Sequence, residues 1–125
     1  MIHQTICGLL LASALATAAS AEDYLCELKD AGRYNTIPEK VYVSIAPDGQ
    51  SAEVVDPKKA SFVKNTSNLL RVRWVVEDMN FSNGGVSDMM FSLTYRKDKG
   101  KAHINLTIPS FDNTDRGTGR CTLQK

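Results

Sequence analysis

Few residues in this chain are of types that carry out chemistry, and their spacing decides against most of what they could do. Beyond residue 21 there is a single histidine, His103. As a general base it would need an orienting carboxylate and a nucleophile, and the sequence connects it to neither. It stands between apolar residues that alternate along a strand, and so reads as a surface polar group. No serine lies in a Gly-x-Ser-x-Gly elbow. Asp112-Asn113-Thr114-Asp115-Arg116-Gly117 has the composition of an acidic calcium loop. Its oxygen-bearing residues lack the alternate spacing such a loop needs, and no glutamate closes it. It reads instead as a turn whose Asp and Asn side chains bond the local backbone. Gly117-Thr118-Gly119 is followed by no helical pattern, so it is no phosphate cradle. No catalytic set, no metal site and no cofactor is expected.

The remaining reactive groups are thiols. Cys26 and Cys121 are the only cysteines after residue 21, and they stand at opposite ends of that stretch. A single disulfide joining its first and last structured segments is the natural reading, which commits both sulfurs and excludes thiol catalysis. Cys7 belongs to a different kind of segment. Residues 6–18 are apolar and rich in Leu and Ala, and Ala19-Ser20-Ala21 follows them, then acidic Glu22 and Asp23. Small residues at the third and first positions before a cut are what signal peptidase requires, so residues 1–21 read as a cleaved export signal. The run is too short for the roughly 18 to 20 apolar residues that span a bilayer. Residues 22–125 are then one exported domain, periplasmic or secreted, with no membrane span of its own.

Charge narrows the partners. Lys and Arg number 15 and Asp and Glu 14, and all lie after the signal, with neither sign in a long block. Phosphate backbones demand clustered base, so nucleic acid is not an expected partner. The densest basic run, Arg96-Lys97-Asp98-Lys99-Gly100-Lys101, reads as a solvated hairpin turn.

The elements that would position these groups are strands, because apolar residues recur at every second position. Met89, Phe91, Leu93 and Tyr95 alternate with polar residues, as do Ala102, Ile104, Leu106 and Ile108, and the basic turn joins the two runs. An earlier hairpin has Val41, Val43 and Ile45 before Pro47-Asp48-Gly49, with Ala52 to Asp56 returning. The longest run, Leu69 to Glu77, puts Leu70, Val72, Trp74 and Val76 on one face and Arg71 and Arg73 on the other. Short strands around Tyr24 to Lys29 and Gly119 to Leu123 carry the cysteines. No helical stripe is present. The sequence therefore predicts an all-β domain, an antiparallel meander of about seven or eight strands. If a disulfide bridges the first strand to the last, the meander has come full circle, which favours a closed or nearly closed barrel over a sandwich.

One segment stands out as a binding candidate. Residues 78–88 form a long connection that holds Met79 and Phe81 among Asn, Ser and Gly. These two side chains either plug one end of the barrel or are presented to a partner, and Arg71 and Arg73 add a basic face. Asn65, Asn80 and Asn105 begin glycosylation sequons. With no catalytic set, the sequence points to a small exported binding module for a protein of the envelope or the extracellular space, such as a hydrolase that it inhibits. The alternative is a carrier of a small apolar ligand inside the barrel.

Overall fold

The computed structural model describes residues 21–32, 36–54, 58–81, 84–109 and 113–124, so nearly all of the segment read as an export signal, Cys7 included, lies outside the described residues. Nine strand segments are described: β1 (Glu22–Asp30), β2 (Lys40–Ile45), β3 (Ala52–Val54), β4 (Lys58–Lys59), β5 (Phe62–Asn65), β6 (Leu69–Asn80), β7 (Val86–Arg96), β8 (Lys101–Ile108) and β9 (Asn113–Leu123). All pair antiparallel in one sheet of order β4-β3-β2-β1-β9-β8-β7-β6-β5.

The two edges of that list are consecutive pieces of chain. Lys58 and Lys59 pair with β3, Phe62 to Asn65 pair with β6, and Ala60 and Ser61 between them donate backbone hydrogen bonds to Ala52 and Arg73. One bent strand thus shares itself between both neighbours, and eight antiparallel strands make a nearly closed barrel in chain order. No sequence signal announced this strand, because residues 58–65 show no clean alternation and Phe62 on its outer side is exposed.

The ladder also closes between first and last strands. Seven registered pairs join β1 to β9, from Tyr24 opposite Leu123 to Asp30 opposite Gly117. Cys26 and Cys121 face each other directly within this ladder, their Cα atoms 3.9 Å apart, and they form the disulfide. A cross-link in an oxidised domain fits an oxidising, exported location. No described helix is long and apolar enough to cross a membrane.

The alternation read from sequence is the inside and outside of this barrel. Leu70, Val72, Trp74, Leu93, Ile104 and Leu106 are buried within it, Trp74 stacking on Phe91 with ring centroids 5.1 Å apart. At the end where β1 begins and β9 finishes, Tyr24 and Tyr95 meet edge to face. Burial, with Glu22 and Tyr95 nearby, pushes the Tyr24 phenol up. Above this pair the Lys97 ammonium donates to Asn65 Oδ1 at 2.6 Å and to the Thr66 carbonyl at 2.8 Å, while Asn65 Nδ2 donates to Glu22 at 2.9 Å. The first sequon asparagine is therefore tied into the fold; Asn80 and Asn105 are exposed.

Two boundaries differ from the sequence reading. Residues 78–88 are not a loop: β6 runs to Asn80 and β7 begins at Val86, leaving only 81–85 as the connection. The register shifts between Val76 and Met79, where Asp78 takes φ of +54° and its N–H donates to Asp88 Oδ1 at 3.1 Å. That bulge returns the side chains to the inward phase, so Val76 and Met79 both pack against the core. The broken alternation made the extended strand look like a loop. Likewise residues 113–117, read as a turn, are the first part of β9.

Candidate functional site

The proposed tip residues turn inward. Met79 and Phe81 are half-buried and packed against the core, at the end opposite the first residues of β1. Phe81 is further held by the short turn, its N–H donating to the Gly85 carbonyl at 2.9 Å.

A second cover at the same end is the side chain of Ile37, just before β2, which is buried above Gly117. Two carboxylates hold Gly32, Thr36 and Ile37 in place. Asp30 accepts from the N–H groups of Gly32 at 2.7 Å and Ile37 at 3.2 Å. Asp115 points inward from β9 and accepts from the Thr36 hydroxyl at 2.7 Å, the Thr36 N–H at 3.2 Å and the Arg116 N–H at 2.9 Å. Burial pushes the Asp115 carboxyl up, but the donors from Thr36 and Arg116, with Asp30 beside it, outweigh that and hold it below its usual range. The residue that suggested a calcium loop is thus a structural anchor. Among the described residues no cluster of three or more His, Cys, Asp or Glu side chains could hold a metal.

This anchor makes that cover sensitive to acid. A lowered folded pKa contributes stability at pH above the unfolded value, about 3.9, and that contribution is lost as pH falls through the folded value. The thermal midpoint of the protein is therefore expected to fall more steeply below about pH 4 than that of Asp115→Asn, whose carboxamide does not titrate. Parallel melting curves at pH 3 to 6 check this; identical slopes for the two proteins would remove the carboxylate from the account.

The outer surface is most basic over β5 to β9. Arg71 and Arg73 do share the outer face of β6. The Arg71 Nε donates to the Thr94 hydroxyl at 3.2 Å and buries it, and the Arg73 guanidinium lies 4.8 Å from the centre of the Phe62 ring. Strand order sets Lys64, Arg96, Lys101, Arg116 and Arg120 on the same broad face of β5 to β9. The carboxylates of those strands lie elsewhere: Glu77, Asp78 and Asp88 near the β6–β7 tip, and Asp115 inside. The outside of β1 to β4 is mixed instead, with Asp23, Glu27 and Glu53 among Lys29, Lys40 and Lys59, and Glu53 directly opposite Lys59. Outward residues distant in sequence become neighbours only through the register, as Arg71, Thr94, His103 and Thr118 do across four strands. His103 alternates with buried Ala102 and Ile104, which puts it on the outer side of β8 between Thr94 and Thr118.

The concavities lined by described residues are grooves at the outside of the sheet. One of about 770 Å³ lies over β1 and β9, beside Glu27, Lys29 and Arg120; one of about 370 Å³ lies over β2 to β4; a third, of about 600 Å³, follows the β7–β8 turn to β9.

These features define a class: a small, disulfide-linked, nearly closed up-and-down β-barrel with a buried apolar core and a basic outer surface over β5 to β9. The chain matches no protein-family model, no curated protein and no solved structure.

Proposed function

We propose that this protein is a non-catalytic binding module, acting outside the cytoplasm, which engages an acidic partner protein through the basic outer face of β5 to β9. The observation that carries this reading is the basic excess on the outside of β5 to β9, where Arg71, Arg73, Arg96, Lys101, Arg116 and Arg120 all point outward. Such a face steers an oppositely charged partner and fixes its orientation. Bulky inward side chains support the module over the carrier, since Trp74, Phe91, Leu93 and Tyr95 take up the space a ligand would need. The grouping of base in the fold removes the argument from scattered charge against nucleic acid; the disulfide and the export signal favour a protein of the envelope or medium instead.

The test uses residues 22–125, oxidised, as bait against envelope and medium fractions, with Arg71→Ala/Arg73→Ala as the comparison bait. A protein retained by the first and not by the second is purified and titrated directly. Two lost charge contacts are expected to weaken binding by at least about tenfold, with binding falling as salt rises. If that protein is a hydrolase, its inhibition is measured next. A retained protein with equal affinity for both baits would place the contact elsewhere.

A further inference from the structure

We infer that the groove between the β7–β8 turn and β9, one part of the basic surface, takes a run of phosphate groups. Arg96, Lys99, Lys101, His103, Thr118 and Arg120 line it, around a floor of Ala102 and Gly119. Four permanent cations, an imidazole and a hydroxyl thus surround one concavity, and no carboxylate lines it. Glu27, which faces Arg120 from β1, is the nearest acidic strand residue, and Asp98 sits in the turn itself.

What these cations are doing separates them from the others of the basic face. Arg71 holds Thr94, Arg73 covers Phe62, and Lys97 ties the barrel end to Asn65. The side chains of Arg96, Lys99, Lys101 and Arg120 have no hydrogen bond or ion pair with any other described side chain. Moreover, Arg96 and Lys101 are direct cross-strand partners. Like charges set opposite each other destabilise a ladder, and an anion bound between them would relieve that repulsion.

The chemistry of the ligand follows from the floor and the size. Ala102 pairs with Gly119 and His103 with Thr118, so the backbone donors beneath the groove are committed to the sheet. An acidic peptide laid here would bury amides of its own with nothing to pair them. A chain of phosphates has no such groups, and each offers several acceptor oxygens to Lys, Arg, His and Thr. At about 600 Å³ the groove is larger than one ion, which favours several linked charges. Phosphates in a soluble polymer and phosphates clustered on a membrane surface offer the same chemistry.

The experiment titrates the oxidised protein with tripolyphosphate, and with orthophosphate for comparison, following backbone amide signals by NMR at low salt. Saturable shifts are expected at Lys101 to His103 and at Thr118 to Arg120, with tripolyphosphate binding the more tightly. Lys101→Ala and Arg120→Ala are each expected to weaken it about tenfold, the cost of one charge-assisted contact, while Lys59→Ala leaves it unchanged. All three positions are exposed. No saturation, or an equal loss in Lys59→Ala, would overturn the site, the latter by showing a diffuse field rather than a groove. Co-sedimentation with vesicles rich in phosphatidylglycerol, lost in Lys101→Ala/Arg120→Ala, assigns the phosphates to a membrane surface. Tripolyphosphate binding without co-sedimentation assigns them to a soluble polymer.

Discussion

Replacing Cys26 and Cys121 together by alanine is expected to lower the thermal midpoint by on the order of 20 °C, equivalent to about 4 kcal/mol in a domain of this size. The bridge closes a loop of 95 residues, so almost the whole domain is constrained in its unfolded state. On the chain-entropy model a loop of that length restricts the unfolded ensemble by about 4 to 5 kcal/mol, a large share of the roughly 5 to 15 kcal/mol that holds a small domain together. Alanine rather than serine is used because Cys26 is fully buried and a hydroxyl there would need a partner. Reduction of the unmodified protein by a thiol gives the loop-closure effect without deleting side-chain atoms. Calorimetry of oxidised, reduced and doubly substituted protein makes the comparison. A loss below about 1 kcal/mol would mean that the seven-pair ladder between β1 and β9 closes the barrel without help from the cross-link.

The second large effect lies on the same seam. Gly119 pairs with Ala102 on one side and Leu28 on the other, two positions from the disulfide. A methyl group added there would lie 1.9 Å from the Glu27 carbonyl oxygen and 2.9 Å from the Leu28 Cα. Both obstacles are backbone, so no side chain can swing aside, and β1 must move away from β9. Gly119→Ala is expected to cost about 3 kcal/mol, the upper end for overpacking. Gly49 provides the contrast. It takes φ of +71° in the turn after Ala46, where nothing lies within 4 Å of an added methyl. Gly49→Ala meets only the left-handed backbone penalty of about 1 kcal/mol. Denaturant midpoints of the two variants measure the difference, and equal losses would refute the tight approach at the seam.

Much of the barrel was legible because strand alternation is local. Residues two apart fall on one face whatever the strand pairs with, so Leu70, Val72 and Trp74, or Ile104 and Leu106, announce an interior without any knowledge of topology. The breaks in legibility have local causes too. The bulge after Val76 interrupts the period and hid three residues of β6, and Asp115 on the inner side of β9 made a strand look like a turn. Met79 and Phe81 could be recognised as a choice between plug and contact, and only their packing against the core resolves it.

From sequence alone came the all-β class, the inward residues, the meander and the pairing of Cys26 with Cys121, because each depends on period, composition or count. The tertiary structure decided what the outside presents. Arg73, Arg96, Lys101, Arg116 and Arg120 are scattered along the chain among nearly as many carboxylates, and a reading of the sequence averages them to neutrality. Strand order and register then set these bases on the outside of β5 to β9, put Glu77 and Asp88 near the β6–β7 tip, and seat Asp115 inside under Thr36. The electric field at a surface depends on distances in space, and those are made by pairings between strands as far apart in sequence as β1 and β9.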